Sequence, residues 1–254
     1  MTVVTRVSPH LLLNETLDGS ELAGSRLCVA AVATLRYMVE HGGIGLTTSG
    51  AFNRKFVVWA VDELDWPGYT AQELAVVCKV LNESDVPPLF VLHELLLAAK
   101  LIRHAKAQAV LTRRGKEHLD RHGLLQVVLF EMVFTRFDFA GYQRWPVEMP
   151  DADLPHVLGV IHRRLADWVA FPEFTGWCVP VDIFPARWGT PEDNAMLYLA
   201  ARVVRPLRWL GLVEEREPER HGPLRLVQLR KTALFDRFFR FEAIRDDIGR
   251  GVRH

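Results

Sequence analysis

Cysteine is scarce: Cys28, Cys78 and Cys178 lie far apart, with no paired spacing. That excludes a disulfide framework or a zinc knuckle and fits a reducing cytoplasm. No apolar run reaches the length of about 18 residues that a membrane span needs. Pro9-His10-Leu11-Leu12-Leu13 is too short for the apolar region of a secretion signal. Enzyme signatures are also missing: there is no glycine-rich phosphate loop, nucleophile elbow, kinase set or metalloprotease helix. Cys178, Asp182 and His162 have no spacing that makes a catalytic trio, and Pro180 intervenes, so Cys178 reads as a core residue. His118 and His122 stand four apart on a predicted helix, as zinc ligands often do, but no further ligand pattern completes a site. No catalytic residue, cofactor or metal is assigned.

What the chain has is local charge. Its 31 Lys and Arg balance 31 Asp and Glu, but not evenly along the sequence. Residues 1–99 carry 6 basic against 11 acidic side chains, and residues 100–122 carry 7 against 2. Residues 123–199 carry 5 against 10, and residues 200–254 carry 13 against 8. Each half is an acidic body followed by a basic segment, a pattern that points to an anionic partner.

A phrase also repeats. Gly45-Leu46-Thr47-Thr48-Ser49-Gly50 returns as Val110-Leu111-Thr112-Arg113-Arg114-Gly115, and more loosely as Val227-Gln228-Leu229-Arg230-Lys231-Thr232-Ala233. Each reads as an extended stretch giving way to a helix.

Around these phrases the predicted elements fall into two series. Residues 1–19 form a leader with few helix signals. Helices are predicted over 21–40, ended by Gly42-Gly43, and over 52–64. Thr70 and Glu73 fit a capping box for a helix to about residue 82. A further helix follows Pro87-Pro88 to about Ala99, then a hairpin over 101–112 and a helix over 113–122. The second series opens with an apolar helix over 124–137 and an irregular stretch over 139–150. A helix over 154–170 comes next, then a long loop over 171–189 with a short strand at 178–183. Thr190-Pro191-Glu192-Asp193 starts a helix to about Leu210. A hairpin over 212–229 and a closing helix over 231–248 complete it. The fold class is α+β, predominantly helical, with units at 20–123 and 124–254.

Arg202, Arg205 and Arg208 span about 120° of one helix face if the helix is regular, with Trp209 among them. Such a face grips guanine or phosphate. Arg220, Arg225, Arg113, Arg114 and Lys116 would assist on phosphates. Against this stand the acidic run Glu214-Glu215-Arg216-Glu217, which repels phosphate, and Pro206, which interrupts a helix. The helix before the first hairpin, Leu89-Phe90-Val91-Leu92-His93-Glu94-Leu95-Leu96-Leu97, reads as a core or interface element.

The strand-to-helix phrases with Leu46-Thr47 and Leu111-Thr112, in the order helix, helix, hairpin, helix, resemble the wing region of bacterial winged-helix proteins. Gly45–Val57, with Asn53-Arg54-Lys55-Phe56, more faintly resembles a segment of uncharacterised bacterial proteins, some of them plasmid-borne. The resemblance implies two winged-helix-like units packed through a shared helical core. With the arginine face of Arg202, Arg205 and Arg208 as main contact, the expected function is that of a cytoplasmic nucleic-acid-binding protein, DNA being the expected target. The alternative is a winged-helix protein-interaction module that binds another protein or a second copy of itself.

Overall fold

Ser25 and Gly42 bound the first long helix, each through its local chemistry. The computed structural model describes residues 4–8, 11–64, 66–137, 153–186, 189–217 and 223–242. α1 covers Arg26–His41. The Ser25 hydroxyl accepts the Cys28 N–H, satisfying a donor that the first turn leaves free. Gly42 ends the helix at φ +74°, which glycine adopts without strain. β3 (Ile44–Gly45), α2 (Arg54–Leu64), α3 (Ala71–Val77) and α4 (Pro87–Ala98) follow. Then come the hairpin β4 (Ile102–Ala105) and β5 (Gln108–Leu111), and α5 (Arg113–His118). The sheet order is β3-β5-β4, antiparallel throughout. Thr70 and Glu73 form the expected capping box, but α3 ends at Val77, short of residue 82.

α6 (His122–Thr135) carries the chain onward. After it come α7 (Leu154–Arg164), β6 (Val169–Ala170), α8 (Phe171–Cys178), α9 (Pro191–Leu199) and α10 (Arg205–Trp209). The hairpin β7 (Val213–Arg216) and β8 (Gln228–Lys231) follows, then α11 (Ala233–Phe238). The sheet order is β6-β8-β7, again antiparallel. The strand order of the first half therefore recurs in the second.

The recurrence reaches individual hydrogen bonds. Past α4, the Lys100 N–H bonds the Leu97 carbonyl and the Leu101 N–H bonds the Leu96 carbonyl. Past α10, Gly211 bonds Arg208 and Leu212 bonds Leu207 in the same pattern. Lys100 (φ +58°) and Gly211 (φ +72°) both take the left-handed turn this closure requires. At the other end of each hairpin a threonine returns: the Thr112 N–H bonds the Leu101 carbonyl and the Thr232 N–H bonds that of Leu212. Their hydroxyls then cap α5 and α11 by accepting the N–H of Gly115 and Phe235. Thr47 is elsewhere. It lies in the loop after β3, where its hydroxyl accepts the Ala51 N–H. The first repeated phrase thus marks the edge strand β3 and not the central strand β5, and the most degraded copy is the true counterpart of the second.

Other expectations are corrected. The leader contains β1 (Val4–Ser8) and β2 (Leu11–Asn14), and β2 pairs with β9 (Phe239–Phe241) near the other end of the chain. The closing helix stops at Phe238, because Phe239-Arg240-Phe241 alternates between core and solvent as a strand does. The part of that helix expected at 243–248, and the irregular stretch at 139–150, lie outside the described residues. The expected loop over 171–189 contains α8 and a 3-10 turn at Val181–Ile183, not a strand. Pro172 sits in the first turn of α8, where a missing N–H breaks no bond. The helix from Leu154 ends at Arg164, short of residue 170.

α6 is the expected apolar connector, and it lies in the core against α1, α4 and β2. Phe130 meets Phe238 and Phe239 at ring-centroid distances of 5.7 and 5.3 Å, so this helix also joins the terminal sheet to the body. α4 buries Leu89, Val91, Leu92, Leu95 and Leu96. Each such side chain contributes about 1.5–3 kcal/mol on removal from water.

Candidate functional site

The arginine helix is not regular. Pro206 has no N–H to give the fourth carbonyl back, and its ring would strike that carbonyl in an α-helix. Between α9 and α10 the chain therefore widens into a π-helical segment, Ala200–Val204, in which the Arg205 N–H reaches the Ala200 carbonyl. The single 120° arc expected for Arg202, Arg205 and Arg208 is broken by this wider turn. Arg202 is half-buried, with its guanidinium 5.5 Å from the centre of the Tyr198 ring. Arg205 and Arg208 are exposed and line a cleft instead.

That cleft holds about 820 Å3 and lies where the two series of elements meet. α10 and β7 form one side, and the Trp66–Tyr69 turn with α4 forms the other. Gly24 and Gly211 line it where the halves approach each other: a Cβ on Gly211 would stand 2.5 Å from the Gly24 carbonyl oxygen. Trp209 is half-buried, edge-on to the buried Trp66 at 5.4 Å. Beside this pair, Gln126 on α6 is fully buried. Its amide accepts the Ser25 hydroxyl (2.8 Å) and donates to the Leu210 carbonyl (2.9 Å), linking the cap of α1 to the end of α10.

Carboxylates hold three of the eight predicted cations, Arg208, Arg225 and Arg113. Arg208 bonds Glu215, and Arg230 bonds Glu214 at 2.8 Å. Partial desolvation in the cleft lowers the Arg208 guanidinium from its ordinary value, opposed by the charge of Glu217, although 44% of the side chain stays exposed. Arg225 bonds Asp193, the capping acid of α9; this bond and those from Thr190 bring the Asp193 carboxyl down to about 2. Arg113 bonds Glu117 one turn on, at 2.8 Å, which raises the arginine and lowers the acid. Arg114 and Lys116 are exposed. Arg220 lies outside the described residues. Arg113 and Arg114 line a separate cavity of about 690 Å3 with Val127, Val128 and Glu131, which shares no residue with the cleft.

Three sequence features carried more than they showed. Trp66-Pro67-Gly68 has the composition of a turn, yet its indole backs Trp209. Gln126 is a polar residue inside an apolar helix. Glu83, His93 and His104 gave no spacing signal, although they form a chain of hydrogen bonds from the core to the surface. His118 and His122 do not act together: the His118 ring bonds the Arg114 carbonyl, and burial lowers its basicity. Cys178 is buried, its thiol pushed up to about 12 by that burial, while His162 faces Asp236 and stacks on Phe241.

Residues 23–124, which enclose α1 to α5, match the family described as the Y4jL N-terminal domain. Over 132 residues the chain is 42% identical to the uncharacterized protein y4jL of Sinorhizobium fredii (strain NBRC 101917 / NGR234). That alignment covers 52% of this chain and 57% of the relative, so the match spans little more than half of either. The similarity to uncharacterised bacterial proteins anticipated from Gly45–Val57 is thereby established. No solved structure matches. Among the described residues, no helix is long and apolar enough to cross a membrane.

Proposed function

We propose that the two units are winged helices and that the chain works as a protein-interaction module, not as a reader of DNA sequence. The observation that carries this is the state of the helical run before the hairpin in each unit, α4 in the first and α9 to α10 in the second, the one that would enter a groove. Of α4, only Glu94 and Ala98 are exposed; the rest is buried or half-buried within the chain. A helix spent on its own core presents no side chains to base edges. The counterpart in the second unit opens with Pro191-Glu192-Asp193, and the first turn is where a recognition helix meets bases. Two carboxylates there oppose phosphate.

An apolar surface supports the same reading. Ile183, Leu197 and Leu226 are 49%, 39% and 51% exposed, on α9 and the two 3-10 turns packed against it. Pull-down and sedimentation test the proposal. The chain should retain a protein partner, or associate with itself, through contacts that survive high salt and are lost on Leu197→Glu. Association that ignores Leu197→Glu and disappears with salt would count against it.

Nucleic-acid binding is the second reading, favoured by the exposed Arg205, Arg114 and Lys116. Arg202, Arg205, Arg208 and Trp209 would then be its main contacts, with Arg225, Arg113, Arg114 and Lys116 on phosphates.

A further inference from the structure

The loop made by the first Leu-Thr phrase runs into an acid–base chain. Glu83, on a 3-10 turn (Glu83–Asp85), is 1% exposed. One of its oxygens accepts the Phe52 N–H at 2.7 Å, from the end of that loop. Its other oxygen lies 2.7 Å from Nδ1 of His93 on α4, itself 3% exposed. Nε2 of His93 faces Nε2 of His104 on β4 at 3.0 Å. The two ring centroids are 5.2 Å apart, so the nitrogens meet almost head-on, as in a hydrogen bond. His104 is exposed, and its ring lines a cavity of about 590 Å3 with Thr47, Ser49 and Arg54.

The protons in this chain follow from its geometry. Ionised Glu83 only accepts, so Nδ1 of His93 is the donor between them. With His93 neutral, its Nε2 offers a lone pair, and His104 must donate. The outer nitrogen of His104 is then free to take one more proton. That proton leaves every hydrogen bond in place, turns the contact between the rings into a charge-assisted one, and cancels the net negative charge of the buried group. Charge-assisted bonds are roughly twice as strong as neutral ones. The other charged side chains lining the cavity are Arg54 and Glu94; Arg103 and Lys106, on the hairpin itself, are exposed.

We propose that Glu83, His93 and His104 form a proton-operated latch, in which uptake of one proton tightens the attachment of the β4–β5 hairpin to the body. Its four anchor points lie on four parts of the first unit: the 47–52 loop, the 3-10 turn, α4 and β4.

Amide hydrogen exchange of Ile102–Ala105 tests this, corrected for intrinsic rates and referred to α1. Between about pH 7.5 and about pH 5.5, protection should rise several-fold, about 3- to 10-fold, the range of one strengthened hydrogen bond. His104→Gln keeps a donor for His93 but cannot titrate, so its protection should not change with pH. Glu83→Gln removes the buried charge that the added proton cancels and should reduce the rise. Unchanged or falling protection in the natural chain overturns the latch, as does a rise that persists in His104→Gln, whose exposed position leaves the fold intact.

Discussion

Replacing Gln126 by leucine removes two hydrogen bonds from a place that water does not reach. Gln126 is 0% exposed and spans the Ser25 hydroxyl and the Leu210 carbonyl. Leucine has a similar volume, so the perturbation is polar more than steric. The Leu210 carbonyl loses this donor and the Ser25 hydroxyl loses its acceptor. A buried polar group left unpaired costs about 1–3 kcal/mol, offset in part by the greater apolar surface of leucine. The expected loss is about 2–4 kcal/mol, read as a urea midpoint lowered by about 1 M or more. Ser25→Ala alone removes the cap of α1 and orphans the Gln126 carbonyl, so it should also destabilise by about 1–2 kcal/mol. Because the two side chains share a bond, the double variant should lose less than the sum, with a coupling of about 0.5–3 kcal/mol. Gln126→Leu within about 0.5 kcal/mol of the natural chain, or strict additivity with Ser25→Ala, would refute the bridge between α1 and α10.

Three further expectations follow from single residues. Gly211 and Lys100 hold equivalent left-handed turns, but only Gly211 faces a backbone within 2.5 Å of a Cβ. Gly211→Ala should therefore destabilise by about 2–4 kcal/mol, whereas Lys100→Gly should be neutral or stabilising by up to about 1 kcal/mol, both read by urea unfolding. Burial pushes the thiols of Cys28 and Cys178 up to about 12, and Cys78 is only half-buried. A disulfide reagent at neutral pH should thus label Cys78 first, and the other two only on unfolding; rapid labelling of all three contradicts the core. The Asp193 carboxyl is lowered from 3.8 to about 2, so its stabilising effect is present above 3.8 and disappears as pH falls toward 2. Arg225→Ala should weaken that acid sensitivity in equilibrium unfolding; an unchanged profile would show that the ion pair does not form.

Local chemistry was the legible part of this fold. The helix ends at Gly42, Thr70 and Thr190 follow from chemistry local to a few residues, whereas α1 starts at Arg26 behind the Ser25 cap and not at the expected residue 21. The first hairpin was legible for the same reason. The β2–β9 pairing was not, since Leu13 and Phe239 meet across nearly the whole chain and neither stretch signals its partner. α8 was hidden by Pro172 and Gly176, residues that usually break helices but here stand where they do little harm. Pro206 did announce an irregularity. Its form, a π turn that divides the arginines, shows only in the folded chain.

The candidate site was legible in its cations and not in their partners. Glu215 lies seven residues from Arg208, and Asp193 lies 32 from Arg225, so only the folded chain brings each pair together. The repeated phrase also misled as to position. Thr47 shares its sequence with Thr112, while Thr232, in the poorer copy, shares its bonds. Backbone geometry keeps the hairpin closure with either sequence.

The salt dependence of duplex DNA binding tests the account most directly, measured by fluorescence anisotropy from about 50 to about 200 mM salt. Cations held by Glu215, Asp193 and Glu117, and reading helices turned inward or acid-tipped, predict weak binding with a shallow slope that Arg202→Ala, Arg205→Ala and Arg208→Ala together barely alter. Tight binding that falls about 1,000-fold or more over that range, and that the triple replacement abolishes, would contradict it.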